Sequence, residues 1–152
     1  MTDEEYMQLA IVQANRAAAQ GEVPIGAIVV HENRIIARAH NMRETNNDPA
    51  GHAEFLALKQ ASEVLQAWRL SGCSVYVTLE PCIMCAGLMH QARIARCVYG
   101  AFDPKAGALG SLYSIHCDTR LNHRFEVSAG VCAETCGMLL SSFFTQKRKK
   151  IL

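Results

Sequence analysis

At 152 residues the chain suits one domain and offers no length for a second independent core. Half of its residues are apolar and mean hydropathy is +0.05, which fits a well-filled globular core. No run of about 18 apolar residues exists to span a membrane, and the acidic start Met1-Thr-Asp-Glu-Glu-Tyr6 is unlike a secretion signal. The net charge of +1 says nothing of a partner by itself, while an odd count of seven cysteines argues for a reducing cytoplasm over a disulfide framework.

Taken in order, residues 4–20 predict an amphipathic helix, since Tyr6, Leu9, Ala10, Gln13 and Ala17 recur at helical spacing and Gly21 stops it. Residues 26–30 and 34–39 are strands joined by the turn-like His31-Glu32-Asn33, a hairpin. The polar loop 41–51 leads into a helix from His52 to about Trp68, carried by Phe55, Leu56, Leu58, Ala61, Val64 and Leu65. Residues 74–79 alternate and are β-branched or aromatic, hence a strand. Pro81 then opens a helix over 82–92, where its missing N–H costs nothing. A strand at 94–99 completes a βαβ unit, so its two strands should be parallel. A long glycine-bearing loop fills 100–122, the kind of loop that is functional or disordered. A strand at 124–128 and a helix at 131–146 end the series. There is no internal repeat, low-complexity tract or linker. The sum is an α/β domain of three layers, a mixed sheet of about five strands with helices on both faces.

Two short stretches carry chemistry. Cys82 and Cys85 stand at i and i+3 on one helix face, at an N-terminus whose positive dipole end favours thiolates, the form that binds metal. They supply half of a tetrahedral zinc site, so a further ligand is required. His52-Ala-Glu54 opens the preceding helix. His52 and Glu54, two residues apart, cannot share a face in mid-helix, so both reach one centre only beyond the helix's end. The cysteines make the same demand of their own helix, and two helix N-termini should therefore converge on one zinc. His-x-Glu followed by Pro-Cys-x-x-Cys is the signature of zinc deaminases acting on nucleobases. In that chemistry His52, Cys82 and Cys85 bind the metal and leave one position open for water, whose pKa zinc lowers to about 7. Glu54 is the general acid/base. Glu80, the rival acid, sits at a strand end before Pro81 and reads as structural.

The remaining features read as packing. Cys73, Cys97, Cys117, Cys132 and Cys136 are small buried or semi-buried residues. His31, His40, His90, His116 and His123 lack ligand spacing, and Met84, Leu88 and Met89 belong to the core. A basic tail over 145–152 contains Lys147-Arg-Lys-Lys150. Phe143-Phe144 just ahead of it places aromatics beside cations, the combination on which single-stranded nucleic acid stacks.

The zinc signature alone does not choose between adenine and cytosine. Across nearly its whole length, however, the chain resembles the bacterial tRNA-specific adenosine deaminases, which have a cytidine-deaminase-like fold. The resemblance is carried by Gly21-Glu-Val-Pro-Ile-Gly26, Ala39-His-Asn41, Asp48-Pro49 with His52-Ala-Glu54, Val77 through Gly87, Gly107 to Leu112, Leu121-Asn-His-Arg124 and Phe143-Phe144. It implies zinc-dependent deamination of adenosine to inosine at the wobble position of a tRNA anticodon stem-loop, that of tRNA-Arg, by a cytoplasmic homodimer with one Zn2+ per chain. It also implies that Asn41 hydrogen-bonds the flipped-out adenine. Asp103 and Lys105 would embrace the flanking nucleotides, His123 would line the anticodon-loop groove, and Phe144 with Arg148 would contact neighbouring nucleotides. The chain departs from the family pattern at Asn46-Asn47 and Ala50-Gly51, where Gly51 should loosen the loop. Two other classes compete. A small-molecule deaminase, acting on guanine or cytidine, needs neither basic tail nor open groove. A non-catalytic zinc module needs no glutamate beside its histidine.

Overall fold

The structure, a computed structural model, describes residues 1–151. Helix α1 (Asp3–Ala19) starts where Thr2 and Glu5 cap each other reciprocally: the Glu5 N–H donates to the Thr2 hydroxyl and the Thr2 N–H to the Glu5 carboxylate. Strands β1 (Gly26–His31) and β2 (Arg34–His40) form the expected hairpin, with Glu32 and Asn33 at positive φ in its turn. Next come α2 (Ala53–Leu65), β3 (Ser74–Leu79), α3 (Ile83–Ala92) and β4 (Arg96–Ala101). A single 3₁₀ turn at Ile115–Cys117, β5 (Glu126–Ser128) and α4 (Ala133–Ile151) complete the order. Strand order is β2-β1-β3-β4-β5. β1 runs antiparallel to both neighbours, while β3, β4 and β5 are parallel. The mixed sheet of five strands and the parallel β3–α3–β4 crossover are as the sequence predicts.

Alternation along the strands splits the core into two layers. Ala27 and Val29 of β1, Val75 and Val77 of β3, and Cys97 and Tyr99 of β4 pack with Ala53, Ala57, Leu58, Ala61 and Met89 of α2 and α3. Ile28, Val30, Tyr76 and Val98 point the other way, onto Tyr6, Met7, Ala10, Ile11 and Cys136 of α1 and α4. Gly26 lets α1 lie directly against β1, because a Cβ there would overlap the Ala10 carbonyl and the Ala14 N–H.

Several expectations are corrected. α2 stops at Leu65, not near Trp68: Gln66 takes a left-handed conformation and caps the helix, leaving Val64 58% and Trp68 64% exposed. α4 runs to Ile151, five residues past the expected end, so Lys147–Lys150 are helical. Cys117 is exposed, whereas Cys73, Cys97 and Cys136 are buried. Met89 is core, but Met84 and Leu88 are only half-buried. Gly51 does not loosen its loop. It is buried, its N–H donates to the Asp48 carbonyl and its carbonyl accepts from the Met42 N–H. Among the described residues no helix is long and apolar enough to cross a membrane.

Candidate metal centre and active site

The C-terminal ends of β2 and β3 bring the two helix starts together. His52 is the N-cap of α2 and Cys82 the N-cap of α3, and neither spends its side chain on capping. His52 Nδ1 lies 3.7 Å from Cys82 Sγ and 3.5 Å from Cys85 Sγ. An ion bound tetrahedrally at ~2.3 Å from sulfur and ~2.0 Å from nitrogen holds such atoms ~3.6 Å apart. The three side chains therefore fit a zinc-type ion, and among the described residues they are the one group of three or more His, Cys, Asp or Glu so gathered. Cys85 is fully buried, whereas His52 and Cys82 are half-exposed.

The titrations follow from this crowding. The Cys82 thiol is lowered to about 3, first by the hydrogen bond from the Cys85 thiol and then by His52. Cys85 is raised by the same bond and by burial, as befits one proton between two sulfurs. His52 is raised, chiefly by its hydrogen bond to Cys82. Glu54, in the first turn of α2 and 4% exposed, is lifted by burial to about 7. A buried carboxyl poised near neutrality is suited to both taking and giving a proton.

Glu54 and His52 open into a cavity of about 270 Å³, to which Asn41, Asp103 and Phe144 contribute walls. Asn41 is 4% exposed; its side-chain amide donates to the Val23 carbonyl at 3.3 Å and its oxygen accepts from the Arg43 N–H at 3.1 Å. The Asp103 carboxylate accepts from the Lys105 and Ala106 N–H groups, shaping the turn that bears it. Phe144 is 43% exposed and meets Phe143 edge-on with centroids 5.5 Å apart. Three expected contact residues lie elsewhere. Lys105 is exposed on the loop outside the cavity lining, and Arg148 is exposed on α4, donating to the Thr145 hydroxyl at 3.4 Å. His123 is half-buried against Phe125, with its Nε2 2.9 Å from the Ile94 carbonyl oxygen.

The geometry also adds residues that sequence reasoning missed. Arg43 lines the cavity, as do the apolar Val23 and Ile25. The nearness of Arg43 to Asn41 in the loop was the available signal. Glu80 also borders the cavity, but its carboxylate is fully engaged. It accepts from the Asp103, Leu109 and Ser111 N–H groups and from the Ser111 hydroxyl. An ionised carboxylate offers about four acceptor sites, and these donors fill them. Glu80 is thus occupied with structure, and Glu54 is the acid left free to exchange protons.

The chain is similar to known deaminases over nearly its whole length. The MafB19-like deaminase family matches residues 1–148. The tRNA-specific adenosine deaminase of Bacillus subtilis is 51% identical over 148 residues, covering 97% of this chain and 92% of its own. That of Haemophilus influenzae is 44% identical over 149 residues, covering 97% and 86%. A solved structure from work on A-to-I editing by tRNA:A34 deaminases superposes with a TM-score of 0.86 at 41% identity, over 90% of this chain and 99% of that one. The guanine deaminase of Bacillus subtilis matches less extensively, with a TM-score of 0.64 at 36% identity over 67% of this chain and 66% of that one. On this sequence identity, over nearly full length and with the site intact, the chain belongs to the tRNA-specific adenosine deaminase family, with the cytidine-deaminase-like fold.

Proposed function

We propose that the chain is a single zinc-dependent deaminase domain that converts adenosine to inosine at the wobble position of a tRNA anticodon. One observation carries the reading: a buried, neutral-poised Glu54 stands beside an intact His52/Cys82/Cys85 cluster, in a cavity of about 270 Å³. That cluster would hold one zinc per chain, and zinc when bound supplies an activated water for attack at C6 of adenine.

The chain's own residues do the rest. Glu54 accepts one proton of the attacking water and delivers it to the ring nitrogen. It then takes the proton left on the oxygen added at C6 and gives it to the amine, so that ammonia leaves as the C6–N bond breaks and the C6 carbonyl forms. Asn41 holds the base edge with its remaining amide capacity, and the buried cavity excludes bulk water. Phe144 offers a ring for a flanking nucleotide to stack on, and Asp103 and Lys105 meet the nucleotides on the other loop. Arg148, one helical turn beyond Phe144, reaches phosphate. His123, half-buried against Phe125, lines the groove through its exposed edge. A tRNA substrate places the protein in the cytoplasm, and tRNA-Arg is the substrate the family resemblance favours.

A homodimer is part of the same reading. α3 is apolar on both sides: Cys85, Ala86 and Met89 are buried within, while Ile83 is 57% exposed. Beside it, the exposed Trp68 and the half-buried Leu88 flank a shallow groove whose floor is the buried Leu58 and Leu70. Helices apolar all round are normally covered, and exposed apolar surface of this kind suits a second copy.

The test offers the protein a tRNA-Arg anticodon stem-loop, free adenosine, guanine and cytidine, and reads inosine or ammonia. Turnover of the stem-loop far above the free compounds is expected. Preference for guanine or a nucleoside would install the small-molecule reading in its place.

A further inference from the structure

Besides Glu54, Glu22 and Glu80 are the buried carboxylates among the described residues, and each is 2% exposed. Neither takes part in an ion pair among those residues. An ionised carboxylate is costly to bury unless its oxygens are hydrogen-bonded. Both satisfy that demand in the same unusual way, by gathering donors from one loop. Glu22 accepts from the Glu44 N–H at 3.2 Å, the Thr45 N–H at 2.6 Å and the Thr45 hydroxyl at 2.6 Å. Glu80 accepts from the Asp103 N–H at 3.0 Å, the Leu109 N–H at 3.2 Å, and the Ser111 N–H at 3.0 Å and its hydroxyl. Burial alone would raise both carboxyls, yet the loop donors outweigh it and hold both below the ordinary carboxylate range.

The two loops are not arbitrary. The one held by Glu22 begins with Asn41 and Arg43, and the one held by Glu80 carries Asp103 and Ala106. All four residues line the cavity that Glu54 opens into. The reacting groups themselves sit elsewhere, on the first turns of α2 and α3. Gly107 fits the same picture, since a Cβ there would occupy the space of the Glu80 carboxylate.

We infer that Glu22 and Glu80 are positioning residues: each fastens one substrate-facing loop by its backbone N–H groups, so that the cavity is shaped before the substrate arrives. The inference rests on the reading that the reacting base binds in this cavity. Neither residue exchanges a proton with the substrate. Their part is to hold the loop side chains where they grip the bound substrate, an interaction made alike in the ground state and the transition state.

The test uses Glu22→Gln and Glu80→Gln in the full-length, zinc-loaded protein, with KM and kcat measured on the stem-loop. Gln keeps the size, but turns one acceptor into a donor facing N–H groups. KM should rise by about 10- to 100-fold with kcat changing by less than about threefold, the mark of lost substrate fit with intact chemistry. Zinc stoichiometry should be unchanged. Thr45→Val, which deletes a hydroxyl donor without changing shape, should raise KM in the same direction. It should be non-additive with Glu22→Gln, and Thr45→Ser should restore the wild-type value. Ser111→Ala tests Glu80 in the same way should the glutamine variant not fold. An unchanged KM, or a loss confined to kcat, zinc content or thermal stability, would overturn the inference and leave both residues as packing. Wild-type turnover of the stem-loop tests the substrate assignment separately. If the wild type prefers a free base, the same KM comparison on that base decides the positioning role.

Discussion

Replacing Glu54 by glutamine separates the chemistry of this site from its architecture. The side chain is 4% exposed, so glutamine fills the same space and changes only charge and proton affinity. Proton transfer by a positioned group contributes about 10²–10⁴-fold, equivalent to about 3–5 kcal/mol of barrier. In the proposed reaction Glu54 serves more than one transfer, so the loss in single-turnover rate should reach at least the lower figure. Zinc content and stem-loop affinity should stay near wild type, because the proposed ligands are His52, Cys82 and Cys85. The stability consequence has the opposite sign. Burial lifts the Glu54 carboxyl from 4.5 to about 7. Such a group is protonated in folded and unfolded chains alike below about pH 4.5, and destabilises the fold progressively as pH rises to about 7. At about 1.4 kcal/mol per pH unit, the ionised form costs about 3 kcal/mol above that window. Chelator-treated Glu54→Gln should therefore be more stable than chelator-treated wild type at pH 8, by up to about that amount, and nearly equal at pH 4. Urea unfolding at the two pH values measures the difference. A near-normal rate would refute the catalytic assignment and pass proton transfer to water, since Glu80 has no free acceptor site. A glutamine variant less stable at pH 8 would refute the electrostatic reading of its burial.

Elemental analysis should find about one zinc per chain in the wild type and little in Cys85→Ala, because the remaining His52 and Cys82 would supply only two ligands. Gly107→Ala should lower the thermal midpoint and KM-defined substrate fit together: its Cβ meets the Glu80 carboxylate, and overpacking of this kind costs about 1–3 kcal/mol. The Glu22 carboxyl is held below its ordinary value, so its bonds to Glu44 and Thr45 stabilise the fold above the unfolded carboxyl pKa and are lost as pH falls through the folded one. Amide exchange at Thr45 should accelerate on acidification before the β1 amides respond. Deleting residues 147–152 should flatten the salt dependence of stem-loop binding while keeping the site, whereas Phe144→Ala should weaken binding at every salt concentration by about 1–3 kcal/mol; equal binding by the truncated chain would make Lys147–Lys150 a merely solvated helix end.

What the sequence could tell depended on how local the cause was. The hairpin and the βαβ unit follow from local periodicity and turn residues, while the metal cluster joins two short local motifs 30 residues apart. His52 and Cys82 were legible as a pair through the His-x-Glu and Pro-Cys-x-x-Cys signature, and their places at two helix starts followed from it. The end of α2 was misjudged because Val64 and Trp68 continue the apolar pattern, and nothing local marks Gln66 as the left-handed cap. The last helix was cut short for a related reason. Lys147–Lys150 read as a basic, nucleic-acid-facing tail beyond the helix, yet basic residues suit a helix C-terminus, where they face the negative end of the dipole. Phe144 lies within the part of the helix already expected, on the same element that packs Cys136 against the sheet, and the extension adds Lys147–Lys150 in helical phase with it. Deleting from Phe143 onward would remove a cavity wall and part of the groove where Phe143 meets Pro24. A cut at 147 isolates the cationic contribution.

The three buried glutamates show where spacing stops being informative. Glu22, Glu54 and Glu80 are the same side chain, and each stands beside a turn or helix start. What distinguishes them is the supply of donors. Glu54 is buried with little to solvate its charge, and its proton affinity rises into the range where it can both take and release a proton. Glu22 and Glu80 are buried as deeply but face loops whose N–H and O–H groups converge on them, and they stay ionised. The loops are distant from their anchors in sequence, 22 residues from Glu22 to Glu44 and 29 from Glu80 to Leu109, so only the fold reveals the pairing. On the roles proposed for them, acid chemistry at one glutamate and scaffolding at two others would come from a single physical variable, the supply of donors. A carboxyl short of donors becomes the proton carrier, and one surrounded by them becomes an anchor.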